Sequence, residues 1–150
     1  FCGEMERLLE RFGSRFGRVV VLDLHSYNHR RGGREAPPDE PKANPEVNIG
    51  TGTMDLIRWQ PLIDRLVERL RAADFLGRAL DVRENVKFQG GHFPRWVHQR
   101  FPESVCAPAI ELKKIFMDEW TGQADAQRLQ GITDALRQAA NSLLRELART

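Results

Sequence analysis

Residues 18–33, RVVVLDLHSYNHRRGG, constrain this chain more than any other stretch. The front half is a run of valines and leucines, the look of a strand covered on both faces, as in sheets flanked by helices. The back half delivers Asp23, two histidines (His25 and His29) and two arginines (Arg30 and Arg31) before breaking at Gly32 and Gly33. A buried strand of this kind needs neighbours of the same kind. Residues 104–112, SVCAPAIEL, supply a second apolar run.

The other segments surround those two strands with helices. Residues 4–16 carry Met5, Leu8, Leu9, Phe12 and Phe16 at helical spacing, with Gly17 as a stop. Residues 58–74 place Trp59, Leu62, Ile63, Leu66, Val67 and Leu70 on one helical face. Residues 94–101 fit a short helix with Pro94 near its start. Residues 125–147 repeat leucine, isoleucine and alanine as a long final helix. Residues 46–52 read as a short strand entering a glycine turn, and residues 78–88 as extended chain turning near Glu84 and Asn85. Between residues 26 and 45 lies a long loop, a length that usually marks function or mobility. Strands alternating with helices predict one α/β domain over residues 1–150, with a mixed, largely parallel sheet flanked by helices.

Composition narrows the function. The net charge is +2 and basic residues are mixed with acids along the chain, so nucleic acid is not an expected partner. No apolar run approaches membrane-spanning length. Cys2 and Cys106 have no metal-binding spacing, and no secretion signal is visible, so reduced thiols and a cytoplasmic location are expected.

Ligands of open α/β sheets gather at the carboxyl ends of strands. Asp23 and His25 are two residues apart, so both side chains leave one face of the strand. His25 can offer a ring nitrogen to a metal or substrate, with Asp23 orienting the ring. The plainer alternative is a structural histidine. Glu111 ends the second apolar run. Partial desolvation there would raise its pKa and suit acid–base work, although on this stretch alone an ion pair with Lys113 or Lys114 is the slightly better explanation. In KFQGGHFPRW, paired glycines allow close backbone approach, and His92 and Arg95 behind them suit a polar or anionic group. His29 is a weaker candidate, and His98, on the short helix, is expected at the surface.

The stretches VVVLDLHSYNHRRGG, NPEVNIGTGT, LDVRENVKFQGGHFPRW and AIELKKIFMDEW together resemble the N-formylglutamate amidohydrolase family, in order and over nearly the whole chain. The resemblance implies a zinc-exopeptidase-like mixed sheet and metal-assisted hydrolysis of N-formyl-L-glutamate, or a related N-acyl amino acid, in histidine degradation. It implies His25 as a zinc ligand, Asp23 behind it, and Glu111 as the general acid/base. Arg30, Arg31, Arg83, His92 and Arg95 become the groups for an acidic substrate. The family's first two zinc ligands belong to a segment preceding the opening helix. The chain is therefore expected to be the carboxy-terminal part of such an enzyme, lacking amino-terminal strands and prone to self-association. The alternative is an inactive fragment, or an anion-binding module of the same fold without a complete metal site.

Overall fold

A computed structural model of the chain describes residues 2–148; Phe1, Arg149 and Thr150 lie outside the described residues. Helix α1 (Cys2–Phe16) leads into β1 (Val19–Val20) and β2 (Asp23–Tyr27). A long loop containing a short 3-10 turn (Pro41–Ala43) reaches β3 (Val47–Gly50). Then follow α2 (Leu56–Ala72), β4 (Val82–Glu84), α3 (His92–Arg100), β5 (Val105–Cys106), β6 (Ala109–Lys113) and α4 (Ala126–Leu147). The predicted mixed α/β class holds.

Each of the two apolar runs is divided in two. β1 pairs with β5 and β2 with β6, both in parallel. The division falls at Ala107 and Pro108, and Pro108 has no N–H to give the ladder. The register does not slip there: Val19 faces Val105 before the gap and Asp23 faces Ala109 after it. The hydrogen bonds Val21 N–H to Cys106 O (2.8 Å) and Asp23 N–H to Pro108 O (3.1 Å) bridge the interval. The run begun at residue 18 therefore extends to Tyr27, past the valines and leucines that define it in the sequence.

The larger sheet has the order β2-β6-β3-β4, with β3 antiparallel to β6 and parallel to β4. Alternation gives it two unlike faces. Val47, Ile49, Val82, Ile110 and Leu112 turn to one side and pack with Trp59, Leu62, Ile63 and Leu66 of α2 and Ile132, Ala135 and Leu143 of α4. Fully burying each large side chain contributes about 1.5–3 kcal/mol. Asp55 caps α2 by accepting from Ile57 N–H (3.0 Å), and Asp125 caps α4 by accepting from Arg128 N–H (3.1 Å).

The opposite face changes character along the strands. At its start, Val19, Val21, Val105 and Ala107 pack with Leu9 of α1 and Val97 of α3. Two residues further on, the same parity carries Asp23, His25 and Glu111.

Candidate active site

His25 of β2 stands opposite Glu111 of β6, and Glu111 stands opposite Asn48 of β3. Asn48 in turn faces Arg83 of β4. One row of four polar side chains thus crosses the sheet on the face turned away from α2 and α4. The expected pairing of Asp23 with His25 is present: His25 Nε2 lies 3.0 Å from Asp23 Oδ1. Asp23 is largely covered, whereas the His25 side chain is 51% exposed. The pair therefore presents an oriented imidazole to an open space.

Glu111 has the environment expected of an acid–base group. Burial pushes its carboxyl above the usual carboxylate range, Asp23 adds to that, and His25 opposes it. The lysine explanation does not hold. Lys113 is buried and its Nζ donates to Asn44 O (3.2 Å), and Lys114 makes no ion pair among the described residues.

Two segments frame the row. On one side, the fully buried Asn48 holds the chain at residues 87–88: its Oδ1 accepts from Lys87 N–H (2.8 Å) and its Nδ2 donates to Phe88 O (2.8 Å). Gly50, in the next row with Ala109 and Asp23, lets the same strip cross the face. A Cβ on Gly50 would sit 2.6 Å from Gly90 N. The close approach signalled by the paired glycines is thus made to β3, and α3 begins directly behind this strip. On the other side, Tyr27 and Lys113 form the following row, closed over by Asn44 and Pro45. Tyr27 O–H donates to Pro45 O, and burial raises its pKa, with Asp81 adding to the effect. His25 and Glu111 therefore lie in a notch between a covered row before them and a covered row after them.

The remaining sequence candidates fall at different distances from this notch. Arg83 belongs to the row, but its guanidinium is engaged by Asp81 (2.9 Å) and by the carbonyls of Pro41 and Lys42 (2.7 Å each). His92 and Arg95 are exposed on the first turns of α3, behind the strip at residues 87–91. Arg31 is exposed on the loop, and Arg30 lines a different cavity beyond the strand ends. His98 corrects an expectation: it is buried. Its Nε2 accepts from Ala107 N–H (3.0 Å), which leaves Nδ1 protonated to donate to Thr53 Oγ1 (3.0 Å). A ring that fills a backbone hydrogen bond beside the Pro108 break cannot sit on the surface. Cys106 is likewise buried, its thiol pushed up to about 12 by desolvation, and Cys2 is exposed; both are free. Sequence reasoning missed Asn48, although a polar residue between Val47 and Ile49 in an alternating strand is a visible signal.

A catalytic zinc takes three protein ligands. Among the described residues, no group of three or more His, Cys, Asp or Glu side chains is placed to hold a metal. His25 supplies one imidazole, so these residues do not by themselves fit zinc.

The fold and the notch define a mixed α/β chain that displays an oriented histidine and a raised carboxylate at the carboxyl half of parallel strands. The chain belongs to the N-formylglutamate amidohydrolase family, whose sequence model matches residues 1–117. It superimposes on the crystal structure of N-formylglutamate amidohydrolase from Ralstonia eutropha JMP134 with a TM-score of 0.59 and 21% identity. That alignment covers 93% of this chain and 47% of the other, so this chain spans about half its length, and the likeness is one of fold. No curated protein sequence gives a match. No helix among the described residues is long and apolar enough to cross a membrane.

Proposed function

We propose that this chain carries the acid–base part of an amidohydrolase acting on N-formylglutamate or a related N-acyl amino acid. The observation that carries the reading is the placement of Glu111. It lies in register with His25, on one face, raised by burial and without a lysine partner. A carboxylate so tuned takes a proton from the attacking water and returns it to the departing amine nitrogen. The amide C–N bond breaks as the new C–O bond forms, giving formate and an amino acid from an N-formyl substrate. Asp23 fixes the His25 ring, so that its other nitrogen faces the open notch.

Zinc is the cofactor that the family resemblance implies. We assign His25 as one donor to it. The described residues do not complete a ligand set, and the proton transfers above rest on protein groups alone. For the substrate's carboxylates we favour Arg95 and His92, which stand exposed on α3 directly behind the strip at residues 87–91. Arg83 is already engaged by Asp81 and two carbonyls.

The test is hydrolysis of N-formyl-L-glutamate by the purified protein. Arg95→Gln should raise KM by about tenfold with little change in kcat, the signature of lost substrate binding. His25→Ala should abolish turnover. Full turnover by His25→Ala would refute the placement of the reaction at this notch.

A further inference from the structure

We propose that a cavity beyond the carboxyl ends of β2 and β6 is a second binding site, built for a small carboxylate anion. The cavity measures about 310 Å³ and is lined by His29, Arg30, Arg34, Lys114, Glu119 and Trp120 among others. That volume is at the small end for ligand sites. It is not the notch described above. His29 and Lys114 lie past the last residues of their strands. The row Tyr27–Lys113, 5% and 8% exposed, stands between them and His25–Glu111. Arg30, expected from the sequence to serve the hydrolytic substrate, belongs to this second cavity, and the proposal does not rest on the hydrolytic reading.

One wall is a preorganised turn. Asp118 Oδ1 accepts from Trp120 N–H and Thr121 N–H, both at 2.8 Å, and Gly122 N–H donates to Asp118 O at 2.8 Å. The turn drives Glu119 inward, where its side chain is only 2% exposed. Glu119 Oε2 accepts from the backbone N–H of His29 at 2.9 Å, so a buried carboxylate clamps the turn to the loop that forms the other wall. The clamp leaves hydrogen-bonding capacity unused: Glu119 Oε1 and His29 Nδ1 lie 3.8 Å apart, within ion-pair range of each other, and neither has a hydrogen-bond partner among the described residues.

The charges around the space do not cancel. Arg128 is engaged by Ile115 O (3.0 Å) and Asp125 (3.4 Å), and Asp118 is engaged by its own turn. Arg30, Arg34 and Lys114 make no side-chain hydrogen bond or ion pair among the described residues. Glu35, also unpaired, and the buried Glu119 offset two of the three, and Asp118 lies within electrostatic reach of Arg34, so a small positive surplus remains. Three cations held about one space repel each other. A carboxylate relieves that repulsion, and the guanidinium fork matches it with two parallel N–H···O bonds. Trp120, 51% exposed, supplies a flat wall for a short carbon chain.

The experiment follows backbone amide signals by NMR while the protein is titrated with glutarate, with inorganic phosphate, and with chloride at matched ionic strength. Glutarate should shift the Trp120, Thr121 and His29 amides saturably. Arg34→Gln and Lys114→Gln should each weaken that binding by about tenfold, as expected for loss of one charge-assisted contact. Arg11→Gln, on the exposed face of α1, should leave it unchanged. The same spectra report whether each variant is folded. Shifts that fail to saturate, that chloride reproduces, or that survive both cavity substitutions would overturn the site. Tighter binding of phosphate than of glutarate would overturn its assignment to carboxylates.

Discussion

On β6, Ile110 and Leu112 point to one side of the sheet, and Ala109, Glu111 and Lys113 point to the other. The first pair is buried against α2 and α4. The second set changes over five residues from apolar cover, through an open polar row, to a closed row under Asn44 and Pro45. The same alternation therefore builds the core and the site. The difference lies in what covers each face. A sheet face packed along its length by two helices can only be core. A face covered at both ends and left open in the middle can hold groups that are partly desolvated yet reachable. The role proposed for Glu111 needs both conditions: burial to raise its pKa and an opening to meet substrate.

Breaking the two faces separately should have separable consequences. The largest expected effect is on chemistry. Glu111→Gln should lower kcat by about 10²–10⁴-fold, the range for a lost general acid/base, while the melting temperature stays near that of the parent. A variant that keeps its activity would remove Glu111 from the mechanism. One residue earlier, Ile110→Ala should do the reverse. It leaves a cavity in the packed face and should cost about 2–5 kcal/mol in chemical denaturation, with kcat of the folded fraction largely kept. Similar profiles for the two neighbours would mean that the faces are not independent.

A smaller effect is expected where the two demands meet. Gly50→Ala puts a Cβ 2.6 Å from Gly90 N, and backbone atoms must move to admit it. The expected loss is about 1–3 kcal/mol, as for other overpacked sites. Because the displaced strip forms one wall of the notch, activity should fall as well. A stable, fully active Gly50→Ala protein would show that the strip plays no part in shaping the site.

Much of this was legible in the sequence, for reasons that can be named. Periodicity found α1, α2 and α4, the last two because each buries one clean stripe, and Pro94 marked the short α3. The parity of Asp23 and His25 gave their contact, because strand geometry fixes which residues share a face. What parity cannot give is register. Nothing in residues 18–33 or 104–112 says that His25 will face Glu111, or that Asn48 will face Glu111 from the antiparallel side. Nor does the sequence say which arginines are taken. Arg83 looks as free as Arg95 until Asp81 and the carbonyls of the loop at residues 41–42 are placed around it. Breaks were also hidden: Pro108 splits an otherwise continuous run without shifting its pairing. His98 was misjudged because a nine-residue helix has two sides and the chain alone does not say which one meets β5. His29, Arg34, Lys114 and Glu119 escaped grouping because their cavity joins residues some ninety positions apart.

His98 offers the subtlest way to sharpen the comparison, because it titrates on the covered part of the polar face. Burial lowers its pKa below 6.5 in the folded protein. The unfolded chain then binds a proton before the folded one does as pH falls. Stability should decline as pH drops below about 6.5 and level off once the folded-state pKa has been passed. His29, also lowered by burial, contributes in the same direction. Glu111 has the opposite sign: its raised pKa contributes stability at low pH that is lost as pH rises through the folded-state value. Thermal melts between pH 4 and pH 8 separate the two. His98→Gln should flatten the decline below about 6.5 and lower stability near neutrality by about 1–3 kcal/mol, because Ala107 N–H and Thr53 lose a well-placed partner. Glu111→Gln should leave the His98 contribution in place and remove only the stability that the parent gains as pH falls through the Glu111 folded-state pKa. If His98→Gln melts with the parent's pH profile, the imidazole is not buried as a neutral bridge, and the covered row would have to be redrawn.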